Sequence, residues 1–341
     1  MPALRFVLSV QDTVYFHWQL AIFLESLAEQ LPAGSGVDVV VSNDFAPLSA
    51  DLAAVIAAYR PVVRCLLGTD YGKRPVDVQV DNAFEGTVPA PAGSHAGVDV
   101  YWRRTPRGYL ALNRVEALRV VGESLASEMI ALMDPDIFLY GSLNAAALPS
   151  GNALQANPHI DRDPFLGGPV TGDSPRKGVL LKVLLRALQC ENEFQAGGVT
   201  VFLDADTLRN KKFIADCFRF SQLVYLAGQI VEVRRAWMAE TACYSLSLTY
   251  NGIPYVLMNR PEYSVQIAAP TIPSGTFYHY YAERNSNGVG AFPGSPWHKK
   301  EYWSKNFLRT ADLDSLRGEA VTDHHRTFLT LATAAKRRLG W

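Results

Sequence analysis

Leu4-Arg5-Phe6-Val7-Leu8-Ser9-Val10, followed by Gln11-Asp12-Thr13 and a run that opens Phe16-His17-Trp18-Gln19-Leu20, decides the fold class. The first seven residues are apolar at nearly every position, the pattern of a short strand covered on both faces. From about Phe16 to Gln30 the apolar residues recur at helical spacing, and Pro32-Ala33-Gly34-Ser35-Gly36 then breaks the chain. Val37 to Val41 repeats the buried-strand pattern and ends in the polar Ser42-Asn43-Asp44. A helix over Ser49 to Tyr59 and a strand over Val62 to Leu67 complete a β-α-β-α-β series. That alternation predicts an α/β fold with a mostly parallel sheet flanked by helices. Sheets of this kind bind ligands beyond the carboxyl ends of their strands, which is where Asp12 and Asn43-Asp44 fall.

Asp70 to Gly108 has weak periodicity and reads as a long, partly ordered excursion. An amphipathic helix is expected from Leu110 to about Glu123, and a buried strand over Met129 to Met133. At the end of that strand stands Asp134-Pro135-Asp136. Two carboxylates one residue apart at a strand end can share a hard divalent cation whose remaining positions take diphosphate oxygens. Such a cation offsets charge developing on a departing nucleoside diphosphate. The competing reading is an acidic turn in which Pro135 merely ends the strand. Farther on, the pattern predicts a strand over Val199 to Leu203, helices over Asp206 to Leu226 and Ala236 to Tyr250, and a strand over Ile253 to Met258. The tail beyond Leu313 reads as a polar helix, with His324-His325 expected at the surface and a basic cluster at Lys336-Arg337-Arg338.

Several side chains outside this frame bear on chemistry. His279, within Phe277-Tyr278-His279-Tyr280-Tyr281, could offer a nitrogen to the same cation or pack as a core histidine. The stretch from Asn285 to Lys300 suits a loop closing over a diphosphate, with Lys299 and Lys300 as point charges. Trp237 and Glu240 share a helix face with Tyr244 and Leu248. A partly buried Glu240 could bind or deprotonate an acceptor hydroxyl, or else pair within the core. Gly167-Gly168 and Gly197-Gly198 lack the spacing of a phosphate loop. Cys65, Cys190, Cys217 and Cys243 have no close spacing and read as reduced core residues.

The chain has 341 residues, 48% hydrophobic and 19% charged, ample for a large core. Its formal net charge of −1 excludes a global field that draws nucleic acid or an anionic membrane. No apolar run approaches the roughly 20 residues that span a bilayer. The N-terminal residues lack the pattern of a signal peptide, so a soluble, cytoplasmic protein is expected.

In order along the chain, several of these segments resemble the plant hydroxyproline O-arabinosyltransferases and the related peptidyl serine α-galactosyltransferases. Val7 to Asp12 with Trp18-Gln19 is similar to that family's first strand and helix. Gly108-Tyr109-Leu110-Ala111-Leu112-Asn113-Arg114, leading into Ile130 to Asp136, resembles its Gly-Tyr-x-x-Leu-Asn-Arg segment and acidic metal motif. Trp237-Met238-Ala239-Glu240, the late Phe277-Tyr278-His279-Tyr280 and the Trp297 to Tyr302 segment have counterparts too. Val115 stands where the family has proline, Asp134 where it has glutamate, and 70–107 and the region after 305 have no clear match. The resemblance implies a GT-A (Rossmann-like) fold in one large domain, with a nucleotide-sugar half over 1–140, an acceptor half and flap over 141–310, and a helical tail over 311–341. It implies a UDP-sugar donor, Mn2+ (or Mg2+) and retention of configuration; the family's membrane anchor has no counterpart here, so its acceptor does not carry over, and a hydroxyl-bearing peptide or small molecule is expected. Asp134, Asp136 and His279 become metal ligands; Asp12, Gln19, Asn113, Arg114, Asp134, Lys299 and Lys300 become donor contacts; Trp237 and Glu240 face the acceptor, with Glu240 the catalytic candidate. A sugar-phosphate nucleotidyltransferase and a non-catalytic carbohydrate-binding relative are the rival readings.

Overall fold

The computed structural model describes residues 3–74, 108–125, 129–156, 185, 188–190, 195, 197–230, 239–258, 274–279, 304–318 and 323–341. They fall into two compact units: residues 1–67, 131–150 and 260–341 form the first, and 68–130 with 151–259 the second.

The first unit is organised by the series read from the N-terminus. Strand β1 (Leu4–Val10), helix α1 (Val14–Leu27), strand β2 (Gly36–Ser42), helix α2 (Ala50–Ala58) and strand β3 (Val63–Gly68) follow one another. β1 and β2 pair in parallel, Arg5 opposite Gly36 and Val10 opposite Val41. The strand order is β3-β2-β1-β4, where β4 is Met129–Met133, a strand that begins in the second unit and ends in the first. Every residue of β2 is buried, including Asp38, whose carboxylate is held by Arg64 Nε and Nη2 at 2.9 and 2.5 Å and by Arg5 at 3.5 Å. A buried carboxylate is tolerated here because cations meet it from both flanking strands. Ser49 caps α2, its Oγ accepting from Leu52 N–H.

Beyond β4 lies a ribbon. Strand β5 (Ile137–Tyr140) pairs antiparallel with strand β9 (Thr276–His279), placing Ile137 opposite His279 and Tyr140 opposite Thr276. α1 holds the ribbon: Leu139 N–H donates to Ser26 Oγ and Leu143 N–H to Gln30 Oε1. Helices α7 (Phe307–Thr310), α8 (Leu313–Gly318) and α9 (Asp323–Leu339) complete the unit. Trp18, Phe307, Phe328, Phe138 and Tyr278 join in ring contacts of 5.3–5.9 Å between centroids. This cluster ties α1, the ribbon and the C-terminal helices into one core.

The second unit contains the remaining strands in the order β7 (Gly197–Leu203), β6 (Ala153–Ala156), β8 (Val256–Met258). β6 runs antiparallel to β7 and parallel to β8. Its helices are α3 (Leu112–Gly122), α4 (Ala205–Arg209), α5 (Lys211–Ile230) and α6 (Ala239–Tyr250). α5 packs on α6 and α3, and α6 packs on β7. The last contact is close: a Cβ on Gly198 would lie 2.1 Å from the Thr241 carbonyl oxygen, and Gly198 has φ of +138°. Only glycine fits there.

The α/β class expected from the sequence is the class observed, with mixed, mostly parallel strands flanked by helices. The structure departs from the reading in three respects. The helix expected from Asp206 to Leu226 is two helices broken at Asn210, whose Oδ1 accepts from Lys212 and Phe213 N–H and starts the second. β5, β6 and β9 were not expected; each has only four residues, too few for a periodic signal. His325 was expected at the surface but is only 2% exposed. It opens the buried stripe of α9 that continues through Phe328, Leu329, Ala332 and Ala335 at helical spacing. Cys190, Cys217 and Cys243 are buried as expected, whereas Cys65 is partly exposed. Among the described residues no helix is long and apolar enough to cross a membrane.

Candidate metal centre and the Arg114–Glu240 hub

The strand-end aspartates and the late histidine come together in the first unit. Asp134 leaves β4, whose five residues are all buried, and Asp136 immediately precedes β5. Pro135 separates them and cannot extend a ladder. Because β9 pairs antiparallel with β5, His279 at its end lies beside Ile137 and hence beside Asp136. His279 Nε2 is 3.0 Å from Asp136 Oδ1 and 3.9 Å from Asp134 Oδ2. One ligand atom from each of the three residues lies within 4.8 Å of the others, and all three side chains are partly exposed. Two carboxylates and one imidazole nitrogen can together hold a divalent cation. Their partial exposure leaves coordination positions open to ligand oxygens.

The other expected donor contacts of this unit are placed differently. Asp12, just beyond β1, receives Ser49 N–H and Oγ–H at 2.6 Å each and stands 2.8 Å from His17 Nε2. Burial acts to raise the Asp12 carboxyl, but the hydrogen bonds from Ser49 and His17 outweigh it and hold it below its ordinary value. Asp12 therefore fastens the start of α2 to the end of β1. Gln19 lies inside α1 at 1% exposure, its Nε2 without a hydrogen-bond partner among the described residues.

In the second unit, Gly108 to Arg114 forms a hub. A Cβ on Gly108 would lie 2.1 Å from the Gly72 carbonyl oxygen, so the chain passes there only because glycine occupies the position. Asn113 accepts Tyr71 N–H at 2.7 Å and donates to Asp70 Oδ1 at 3.2 Å. One turn on, Glu116 accepts Thr69 N–H, while Arg119 grips both its oxygens at 2.8 and 2.7 Å. Asn113 thus anchors the segment leaving β3. Arg114 Nη1 donates to Glu240 Oε1 at 2.7 Å, and Thr241 Oγ–H donates to Glu240 Oε2 at 2.9 Å. Glu240 N–H donates to Tyr109 Oη at 2.9 Å. The Glu240 side chain is 3% exposed and Arg114 13%, so this is a buried ion pair joining α3 to α6. Burial, reinforced by the nearby Glu240 charge, pushes the Tyr109 hydroxyl well above its ordinary pKa and keeps it neutral.

Trp237, Lys299 and Lys300 lie outside the described residues. Sequence reading missed Glu116, Ser49 and Asp70 as members of these networks. For Glu116 a signal existed, because it follows Asn113 by one helical turn; Asp70 and Ser49 act through backbone proximity that no spacing reveals.

No protein-family model matches the chain, and no curated protein matches it. Among solved structures it is similar to the apo form of the WbbM bifunctional glycosyltransferase, at 13% identity and a TM-score of 0.45 over 97% of this chain and 52% of that one. The chain thus spans about half the length of WbbM. It is also similar to the galactosyltransferase LgtC in complex with donor and acceptor sugar analogues, at 12% identity and a TM-score of 0.45, covering 93% of this chain and 100% of that one. An active-site mutant of LgtC gives 12% identity and a TM-score of 0.44 over 95% and 99% of the two chains.

Proposed function

We propose that this chain is a cytoplasmic GT-A glycosyltransferase that moves a pentose or hexose from a UDP-sugar to the hydroxyl of a peptide or small molecule. The observation that carries the reading is the meeting of Asp134, Asp136 and His279 within 4.8 Å at a strand end. Residues from two distant stretches of chain supply three ligand groups, two carboxylates and one imidazole nitrogen, that suit Mn2+ or Mg2+. A divalent cation held there would neutralise charge on the departing nucleoside diphosphate. Asp136, 3.0 Å from His279, is the proposed direct ligand, with Asp134 acting through water or ribose.

In the proposed reaction the bond from the anomeric carbon to the β-phosphate oxygen breaks as the bond to the acceptor oxygen forms. The acceptor proton passes to the departing phosphate, on the same face of the sugar, so configuration is retained. Glu240 is proposed as the acceptor-side carboxylate. Its charge is met by Arg114 and its second oxygen by Thr241, which supports a group that orients a hydroxyl over one that takes a proton. Asn113, Arg114, Asp12, Gln19, Lys299 and Lys300 are the proposed donor-side residues and Trp237 the proposed acceptor contact. For Asn113 and Asp12 the observed hydrogen bonds support an indirect part, holding backbone in place.

The test is a screen of UDP-sugars with and without Mn2+ by thermal shift, followed by transfer assays on Asp136→Ala. Metal-dependent stabilisation by at least one UDP-sugar, lost in the variant, is expected. Transfer and metal-dependent UDP binding that both survive in Asp136→Ala would falsify the reading.

A further inference from the structure

Beyond the end of β2 the chain does something unusual. Asp44 and Phe45 are consecutive residues in the left-handed region, with φ of 56° and 62°. Aspartate visits that region readily, whereas a bulky phenylalanine there is an outlier. Phe45 is also 60% exposed, an aromatic ring held out at a strand end in a strained conformation. Such strain persists where the surroundings enforce it and gathers at ligand clamps and switch segments.

Directly before it stands Asn43, only 9% exposed. Its Nδ2 donates to the Ala46 carbonyl at 2.7 Å, closing the loop on itself. That bond identifies which amide atom is the nitrogen, so the other is the acceptor oxygen. The Oδ1 is buried and has no hydrogen-bond partner among the described residues. A buried acceptor without a partner calls for an N–H donor. The register pairs Val10 with Val41, so this loop and Asp12 stand beyond the same end of adjacent parallel strands, the position where open α/β sheets receive ligands.

We infer that Asn43 and Phe45 form a base-recognition subsite for a nucleobase bearing a ring N–H, of the uracil or guanine kind. The inference rests on the donor reading above and adds the residues that choose the base. Phe45 offers its face to the ring, a contact that any base can make. Asn43 Oδ1 accepts the ring N–H, which uracil and guanine carry at the atom where cytosine and adenine have a bare nitrogen. Cytosine therefore meets acceptor against acceptor, and a polar site of this kind rejects a ligand that lacks the matching donor. Because Oδ1 is closed to solvent, the base reaches it as the Asp44-Phe45 turn relaxes from its left-handed form, and strain at Phe45 favours that relaxation.

The test uses the full chain with Mn2+ and measures binding of UDP, GDP, CDP and inorganic pyrophosphate by calorimetry. UDP is expected to bind about tenfold or more tightly than CDP, and tighter binding of GDP than of UDP would keep the subsite but overturn the uridine donor. Phe45→Ala, at an exposed position, is expected to weaken UDP binding about tenfold while leaving pyrophosphate unchanged. Asn43→Leu is expected to erase the preference over CDP. Equal affinities for all three nucleotides, or an unchanged nucleotide affinity in Phe45→Ala, would overturn the inference. If pyrophosphate binds but bases are not distinguished, this inference alone fails. If neither nucleotide nor pyrophosphate binds, the donor reading fails with it.

Discussion

Two charged clusters define the molecule, and their surroundings are opposite. At Asp134, Asp136 and His279 two acids and a histidine crowd together while keeping partial exposure. At Glu240 a single carboxylate is 3% exposed, with Arg114 and Thr241 on its two oxygens. A buried charge that is satisfied by neighbours serves architecture, since removing either partner leaves the other stranded. Two carboxylates and an imidazole nitrogen gathered at a partly exposed strand end can accept a divalent cation. The first cluster is therefore the place to look for metal chemistry, and loss of a partner in the second should show in stability as well as in any effect on the acceptor.

That contrast can be broken in four ways, from the largest expected effect downward. Asp136→Ala should cut transfer by about 100-fold or more, the scale of several kcal/mol of lost charge stabilisation. In the absence of metal it should leave the urea midpoint unchanged or raise it, because it removes a like charge from the corner. A lowered metal-free midpoint would show that the corner is structural. Glu240→Ala should behave in the reverse sense and destabilise the chain by about 3–5 kcal/mol in urea unfolding. A variant as stable as the parent would mean that the ion pair contributes nothing to stability. Gly198→Ala probes the backing of the hub, since its Cβ would sit 2.1 Å from Thr241 O. A loss of about 1–3 kcal/mol is expected, read from the same unfolding curves.

The smallest effect is a pH dependence at Asp12. Its folded carboxyl titrates below the ordinary aspartate value, so its contribution is present above that ordinary value and lost as pH falls through the folded one. Asp12→Asn should therefore cost about 1 kcal/mol near neutrality, with the gap to the parent closing below about pH 4. A gap that stays constant to low pH would assign the loss to packing.

Much of this was legible in the chain itself. Buried-strand runs and helical spacings marked β1, β2, β3 and β4 and the helices between them, because a strand covered on both faces is apolar at nearly every residue. Asp134-Pro135-Asp136 was visible as a carboxylate pair able to hold a metal for the same reason, standing where an apolar run stops. The Glu240 helix face was visible too, although its partner Arg114 lies 126 residues earlier. The turn at Asp44-Phe45 carried only a weak signal, since aspartate tolerates a left-handed conformation but phenylalanine gives no hint of one.

The sequence by itself determined which segments are strands or helices and which residue types could ligate a metal, since both follow from local periodicity and side-chain chemistry. Tertiary structure decided which of those residues meet. His279 reaches the aspartates only because a four-residue strand pairs with β5 in one register, and a slip of one residue would turn its side chain to the other face. Glu240 became part of a buried pair, and His325 part of a core, because of what packed against them. Those outcomes depend on long-range contacts, which no local pattern of residues encodes.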